Sequence, residues 1–377
     1  TQRSRVSQTP EPEISIPTPT PAVIASPTPE TAPTPAATPT LAPSTPAPTP
    51  APSTPGPTQP PPTPEPTLSP YQQALATAEE LQRQDDVAGA LAVYAEVAAR
   101  FPEEKQPREA MEMISASLRS RASKMPPEEL AQLRQPLEKA ASLDTISSQM
   151  LLGEMLRQTD PRDALKWFTT AGNLGQTEAM VFAGQMMASG RGVEAPDLLG
   201  AASWFSKAAE KGDSVGLYTL AECHLFGKGV PKDPTRAIEL LTAASALNNA
   251  RAMNLLGDLY RKGVPGVMKP NFDESVRLFS QAKELGFLDA QGNLGVLYIY
   301  GQGVSKDELK AVALFRDGAE KGNPLCMYFY AMCFDGGVGI EKDPESARSW
   351  YLRAAQGGNR TAIDWCKKNN IPLASPP

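Results

Sequence analysis

The residues that most resemble a chemical site are glycine-rich loops, of which GKGVPKD at 227–233 also carries two lysines. A phosphate-binding loop needs the pattern G-x-x-x-x-G-K-[ST] between a strand and a helix. No Ser or Thr follows Lys228, and similar loops place Arg191, Gln302 or Val338 at its position. Because the basic residue changes while the glycines recur, we predict that these loops end helices and bind no phosphate.

The cysteines and the single histidine form no recognisable metal-binding pattern. With only His224, the chain lacks the ligands of a Cys/His zinc site. Cys326 and Cys333 would lie about 10 Å apart along one helix, which is too far for a disulfide. We expect buried free thiols, no metal site and no cofactor, although single bridges between neighbouring repeats stay open as an alternative. The four cysteines are Cys223, Cys326, Cys333 and Cys366.

Sequence motifs of the common enzyme classes are missing. The chain contains no H-R-D and no D-F-G, and no two carboxylates pair at a defined site. His224 stands at the position that holds Tyr260, Tyr298 and Phe334 in other copies, which favours a core or seam residue. We therefore predict no catalytic residues and no enzymatic activity.

The glycine loops belong to an internal repeat. The leading glycines are spaced by 37, 36, 38 and 36 residues, and a second motif of the type SWFSKAAEKG recurs with the same period. The leading glycines are Gly190, Gly227, Gly263, Gly301 and Gly337. A period of this length predicts a solenoid built from helix pairs.

Each repeat predicts two helices that the loop connects. The first helix carries small and apolar residues at spacings of three and four, with Gly or Ala at one central position such as Gly257. A tiny residue there predicts close approach of a neighbouring helix. Asp-Pro pairs, such as Asp233-Pro234, predict the start of the second helix as N-cap and first-turn proline.

These motifs resemble the Sel-one-like repeat family, relatives of the tetratricopeptide repeats. The match rests on the A-x-A-x-x-x-L-G-x-x-Y helix, the G-x-G-V loop, the D-P start and the W-Y/F-x-x-A-A-x-x-G end, and it covers about 144–366. The resemblance implies an all-α, right-handed α-solenoid of antiparallel helix pairs that binds proteins or peptides. It implies no chemistry.

Four regions are predicted along the 377 residues. Residues 1–70 hold 23 of the 39 prolines and no aromatic residue, which predicts a disordered Pro/Thr-rich linker. Residues 71–143 predict a tetratricopeptide-like helical region, in which Pro136 should kink or split a helix. Residues 144–372 predict the Sel-one-like repeats with a capping helix begun by Asn359, and 373–377 a disordered tail.

Charge and hydropathy exclude two classes of partner. The net charge is −6, and a nucleic-acid-binding protein would show a basic stripe. No apolar run is long enough to cross a membrane. We expect a protein or peptide partner, no nucleic acid and no membrane span within the chain. The oligomeric state and the compartment stay open.

The candidate binding face lies on the first helices, where polar and aromatic residues fall outside the core positions. Tyr218 and Glu222 share one helix face, and Asn254, Asp258 and Arg261 share the next. The full set of predicted binding residues is Tyr218, Glu222, Asn254, Asp258, Arg261 and Tyr328. The alternative interpretation of these positions is a solvated helix surface.

Two functions follow from this pattern. The first is a non-catalytic protein-interaction scaffold or ligand-sensing solenoid. The second is a regulatory region of a bacterial Ser/Thr protein kinase, because a Pro/Thr-rich segment before such repeats resembles that layout. In that case a catalytic domain and a membrane helix would lie upstream, and the repeats would lie on the extracytoplasmic side. Without such a helix we would expect a cytoplasmic protein.

Overall fold

The computed structural model describes residues 68–373, and within that range the chain forms seventeen α-helices and one short 3-10 turn. Helices adjacent in sequence pack as pairs, and each pair packs on the next one. The predicted all-α solenoid of helix pairs is confirmed. The predicted linker lies almost wholly outside the described residues, as do residues 374–377 of the predicted tail.

Four helices precede the repeated units. They are α1 Pro70–Arg83, α2 Val87–Arg100, α3 Gln106–Arg121 and α4 Pro127–Ala141, with the 3-10 turn at Ala122–Lys124. The first helices of the units are α5 Ile146–Leu156, α7 Thr177–Ala188, α9 Ser214–Phe226, α11 Ala250–Lys262, α13 Leu288–Tyr300 and α15 Pro324–Gly336. The second helices are α6 Pro161–Asn173, α8 Leu198–Glu210, α10 Pro234–Ala246, α12 Phe272–Glu284, α14 Glu308–Glu320 and α16 Pro344–Gln356. Helix α17, Arg360–Lys368, follows the last unit.

The second helices begin as the sequence predicts. The Asp233 carboxylate accepts a hydrogen bond from the backbone N–H of Arg236, 3.0 Å away, and Pro234 is the first helical residue. Asp160 and Asp343 cap α6 and α16 in the same way, each followed by a proline. These caps satisfy N–H groups that a phosphate would otherwise need to contact.

The glycine loops fit against the preceding unit. Gly303 has φ +68°, and a Cβ at this position would lie 2.6 Å from the backbone carbonyl of Phe272, the first residue of α12. Gly339 stands in the same relation to Glu308, the first residue of α14. The loop of one unit therefore packs against the first residue of the second helix in the preceding unit. This close contact requires glycine, so the recurrence of glycine needs no bound ligand to explain it.

The small residue of each first helix faces an aromatic ring of the same unit. A Cβ on Gly257 would lie 2.8 Å from Cε1 of Phe279, and one on Gly295 would lie 2.9 Å from Cζ of Phe315. Both rings are fully buried or nearly so. The close helix approach predicted from the sequence is confirmed, since a phenylalanine ring of the second helix occupies the space beside the small residue.

Helix α4 does not split at Pro136. It continues from Pro127 to Ala141, and Leu133 and Leu137 on either side of the proline are buried in the core. The sequence predicted a kink or a split at this proline, and the split is wrong. Packing on both sides of the proline offsets the lost backbone hydrogen bond.

Neighbouring units are also joined through the caps of their first helices. Asn249 caps α11 and donates its Nδ2 proton to the Ser214 carbonyl of α9, at 2.9 Å. Asn323 caps α15 and donates to Asp289 of α13. Helices α11, α13 and α15 also pack side by side. Among the second helices of the repeated units, between residues 161 and 356, no pair packs as closely as α13 does on α15, so the first helices of these units line one shared face.

The cysteines and the single histidine lie in or at the edge of the core. All four are free and buried, as expected, and Cys326 lies against the glycines at 292 and 318. His224 is half-buried, and its Nδ1 is buried with no hydrogen-bond partner among the described residues. Asn359 caps α17 through the N–H of Ala362, as predicted.

Candidate functional site

The shared face of the first helices contains a cavity of about 360 Å³, here called the polar cavity. Tyr218 and Glu222, both predicted as binding residues, line it from α9. Arg251 of α11 and Lys228 of the following loop line it as well, and sequence reasoning had not selected either. Gln185, Ser189 and Thr219 add neutral polar groups, and the rest of the lining is apolar.

The chemistry of the polar cavity is that of hydrogen bonding. Burial, together with the nearby charge of Glu222, raises the pKa of Tyr218, while Arg251 opposes that rise. The phenol therefore stays protonated, and a hydrogen bond to Glu222 adds to the rise in its pKa. The lysine and arginine add cationic donors, so the cavity can hold an anionic or carbonyl oxygen.

Helix α11 holds the next three predicted residues. Asn254 accepts a hydrogen bond from Nδ2 of Asn293 on α13, at 2.9 Å. The Asp258 carboxylate contacts Arg261 and Lys262, each at 2.6 Å. These two ion pairs fix the positions of Arg261 and Lys262 on the surface. Since Asp258 is the one carboxylate of α11 and Arg251 adds a third cation, the helix carries a net positive charge.

Tyr328 lies apart from the other predicted residues. Its ring packs on Phe329 at 5.5 Å and on Tyr351 at 5.8 Å between centroids. Burial raises its pKa. The side chain belongs to the cluster that joins α15 to α16 and α17, and it does not line the polar cavity.

A second cavity of about 150 Å³ opens between α13 and α15 and is here called the apolar cavity. Its lining residues are Val296, Ile299, Tyr300, Phe315, Phe329, Met332, Cys333 and Val338. Tyr300 is 67% exposed and Met332 is 42% exposed, so the rim is accessible. Sequence reasoning missed this cavity, although the change from Glu222 and Asp258 to Val296 and Met332 at matching positions was the signal that could have found it.

The polar character of the face continues toward the start of the described chain. Arg119 of α3 contacts Glu154 of α5 at 2.6 Å and Glu178 of α7 at 2.8 Å. The hydrogen bond to Glu154 raises the pKa of the Arg119 guanidinium, against the effect of burial. This cluster joins the four leading helices to the first two repeats.

The described residues offer no other evident chemistry. No cluster of three metal-binding side chains occurs between residues 68 and 373. Among the helices of the same part of the chain, none is both long and apolar enough to cross a membrane.

Stacked helix pairs with a shared face and two cavities along it define a helical-repeat scaffold. The Sel1 repeat model matches residues 148–176, 177–213, 214–249, 250–287, 288–323 and 324–359. The chain therefore belongs to the Sel1 repeat family, whose repeats mediate protein–protein interaction, and the resemblance seen in the sequence is confirmed.

The chain is also similar in sequence and in structure to individual proteins. The chain is 28% identical over 185 residues to DAP3-binding cell death enhancer 1 of Rattus norvegicus, a match that covers 49% of this chain and 36% of that protein. A Sel1 repeat protein from Oxalobacter formigenes has a crystal structure with a TM-score of 0.52 and 28% identity, covering 61% of this chain and 92% of that one. The chain thus spans about a third of the length of the curated relative.

The fold alone is shared with a protective antigen of uropathogenic Escherichia coli that displays an SLR fold. The TM-score is 0.56 at 23% identity, and the match covers 79% of this chain and 60% of that one.

Proposed function

We propose that the chain binds a protein partner through the shared face of its first helices and performs no catalysis of its own. The observation that carries the proposal is the position of both cavities on that face. A cavity with several polar and charged lining residues, followed along the same face by a cavity lined by apolar side chains, is typical of a recognition surface. The name of the rat relative describes a protein-binding protein, which agrees with a protein partner here.

Each predicted residue has a distinct part in this proposal. Tyr218 and Glu222 would contact the partner directly in the polar cavity. Asn254, Asp258 and Arg261 would contact it on α11. The hydrogen bond from Asn293 holds Asn254 in place, and the ion pair with Asp258 holds Arg261. Tyr328 would act by positioning α15 rather than by contact. The division into residues 71–143 and 144–372 is retained as a proposal, with Arg119 joining the two parts.

The kinase hypothesis has no comparable support. The described residues carry no feature that favours it over a scaffold, and the matched family is one of interaction repeats. We therefore retain a single function.

The test compares two fourfold alanine variants. One replaces Tyr218, Glu222, Asn254 and Asp258, and the matched variant replaces Thr235, Glu239, Asp273 and Gln281, which are exposed on α10 and α12. Proteins captured by the wild-type chain are identified by mass spectrometry and titrated against both variants. We expect the first variant to lose binding with its helical content intact, and the second to retain it. Equal binding by both variants would refute the proposal.

A further inference from the structure

The charge of the shared face is unlike that of the whole chain. The net charge of the protein is −6. Around α9 and α11, however, four cations stand against three carboxylates. The cations are Lys228, Arg251, Arg261 and Lys262, and the carboxylates are Glu222, Asp258 and Asp213, which caps α9. A net positive surface on an acidic protein favours an acidic partner and disfavours basic ones.

The donors on this stretch are arranged to receive oxygen atoms. Arg251 and Lys228 both line the polar cavity, beside the phenol of Tyr218. Arg261 and Lys262 share the single carboxylate of Asp258, so their remaining N–H groups are available to a ligand. Carboxylates are the oxygen-rich groups that a protein partner supplies most directly.

The face changes character two helices further along. At the position after the small residue, Val296 and Met332 replace the carboxylates of the earlier units. With Ile299 and Phe329 they line the apolar cavity, whose volume of about 150 Å³ suits one large side chain. Exposed apolar surface of this kind is typical of an anchor pocket.

We propose that the partner presents an extended acidic segment that lays its carboxylates along α9 and α11 and inserts one large apolar side chain into the apolar cavity. This inference rests on the proposed function and names the chemistry of the ligand. The first helices lie about 10 Å apart and an extended chain advances about 3.3 Å per residue, so the acidic residues should precede or follow the apolar anchor by about four to seven positions.

The experiment selects ligands without assuming a partner. A phage-displayed library of random linear peptides is panned on the full chain, and enriched peptides are synthesised and titrated by fluorescence anisotropy. We expect enrichment of Asp and Glu together with one Leu, Met or Phe at the stated spacing. Enrichment of sequences without this combination, or no enrichment at all, overturns the inference.

Two variants and two matched controls locate the contacts. Arg251→Glu and Met332→Glu each should weaken the selected peptide about tenfold or more, because each removes a central contact. Arg162→Glu on α6 and Leu309→Glu on α14 introduce the same charge at exposed positions outside both cavities and should leave affinity nearly unchanged. Equal effects of variants and controls overturn the inference.

The outcome also separates this inference from the proposed function. If the selected peptides are basic or lack the anchor, yet the fourfold first-helix variant abolishes their binding, the function stands and the ligand chemistry is wrong. If their binding is unaffected by every change on the first helices, both proposals fail.

Discussion

The ring of Phe279 fills the space that a side chain on Gly257 would need, since a Cβ there would lie 2.8 Å from the ring. The relation recurs in other units, as Gly153 with Phe168, Gly184 with Phe205, and Gly295 with Phe315. Where the small residue is Ala221, the residue matching the phenylalanine is Leu241, and both are fully buried. Ala331 instead faces Tyr351, whose ring stacks on Trp365 at 4.1 Å.

The first prediction follows from this pairing. Gly257→Ala should destabilise the fold by about 1–3 kcal/mol through overpacking, despite the better helix propensity of alanine. Adding Phe279→Leu recreates the natural Ala221 and Leu241 combination and should recover part of that loss. The two changes should couple favourably by about 1 kcal/mol in urea unfolding. Strictly additive losses would show that the ring does not oppose the added methyl group.

A second prediction concerns the loop glycines. Gly303→Ala places a Cβ 2.6 Å from the Phe272 carbonyl, whereas Gly286→Ala meets no described atom within 4 Å. Both positions have positive φ, 68° and 83°, so both variants carry about 1–2 kcal/mol of backbone strain. We expect Gly303→Ala to lower Tm by clearly more than Gly286→Ala. Equal shifts in a thermal melt would mean that the contact between units contributes nothing.

The buried thiols give a prediction about pH. Burial raises the pKa of Cys326 and of Cys333 from 9.0 to about 12, with nearby carboxylates adding to the rise. Because the folded pKa lies above the unfolded value, this contribution to stability is complete below pH 9 and is lost as the pH rises toward 12. The free energy of unfolding should therefore fall across that interval.

The measurement combines denaturation at several pH values with labelling of the thiols. Replacing Cys326 and Cys333 by alanine should flatten the loss of stability above pH 9, the ordinary thiol value. In the native protein, thiol reagents should react only at the rate of local or global opening. Rapid labelling at neutral pH would contradict the buried positions.

A fourth prediction concerns the contact between the leading helices and the repeats. Arg119→Met leaves Glu154 and Glu178 without their shared cation, and should cost about 1 kcal/mol because the side chains are partly exposed and screened. The loss should shrink as salt concentration rises. The same change at Arg236, which pairs only with Glu239 on its own helix, serves as control. A loss unaffected by salt would indicate packing rather than charge.

The architecture could be predicted from the sequence because the same local signals for helix starts, helix ends and helix packing recur in each repeat. Glycine spacing, Asp-Pro starts and the small residue each recur in phase, so the helix pairs and their caps could be located without coordinates. Pro136 was the exception, because its helix stays continuous, with Leu133 and Leu137 buried on either side of the proline.

The candidate site was less predictable. Tyr218 and Glu222 were found because they share a helix face, which is a local property. Arg251 reaches the same cavity from a different helix, and the apolar cavity forms only when α13 and α15 pack side by side. Such contacts depend on how units stack, and a single repeat does not encode them.

The most direct test of the account is site-specific photo-cross-linking to a bound partner. A benzophenone amino acid replaces Tyr300, which is 67% exposed at the apolar cavity, or Thr242, which is exposed on α10. The account predicts that the partner is cross-linked from position 300 and not from position 242. Cross-linking from position 242 alone would place the partner on the second helices and contradict the central claim.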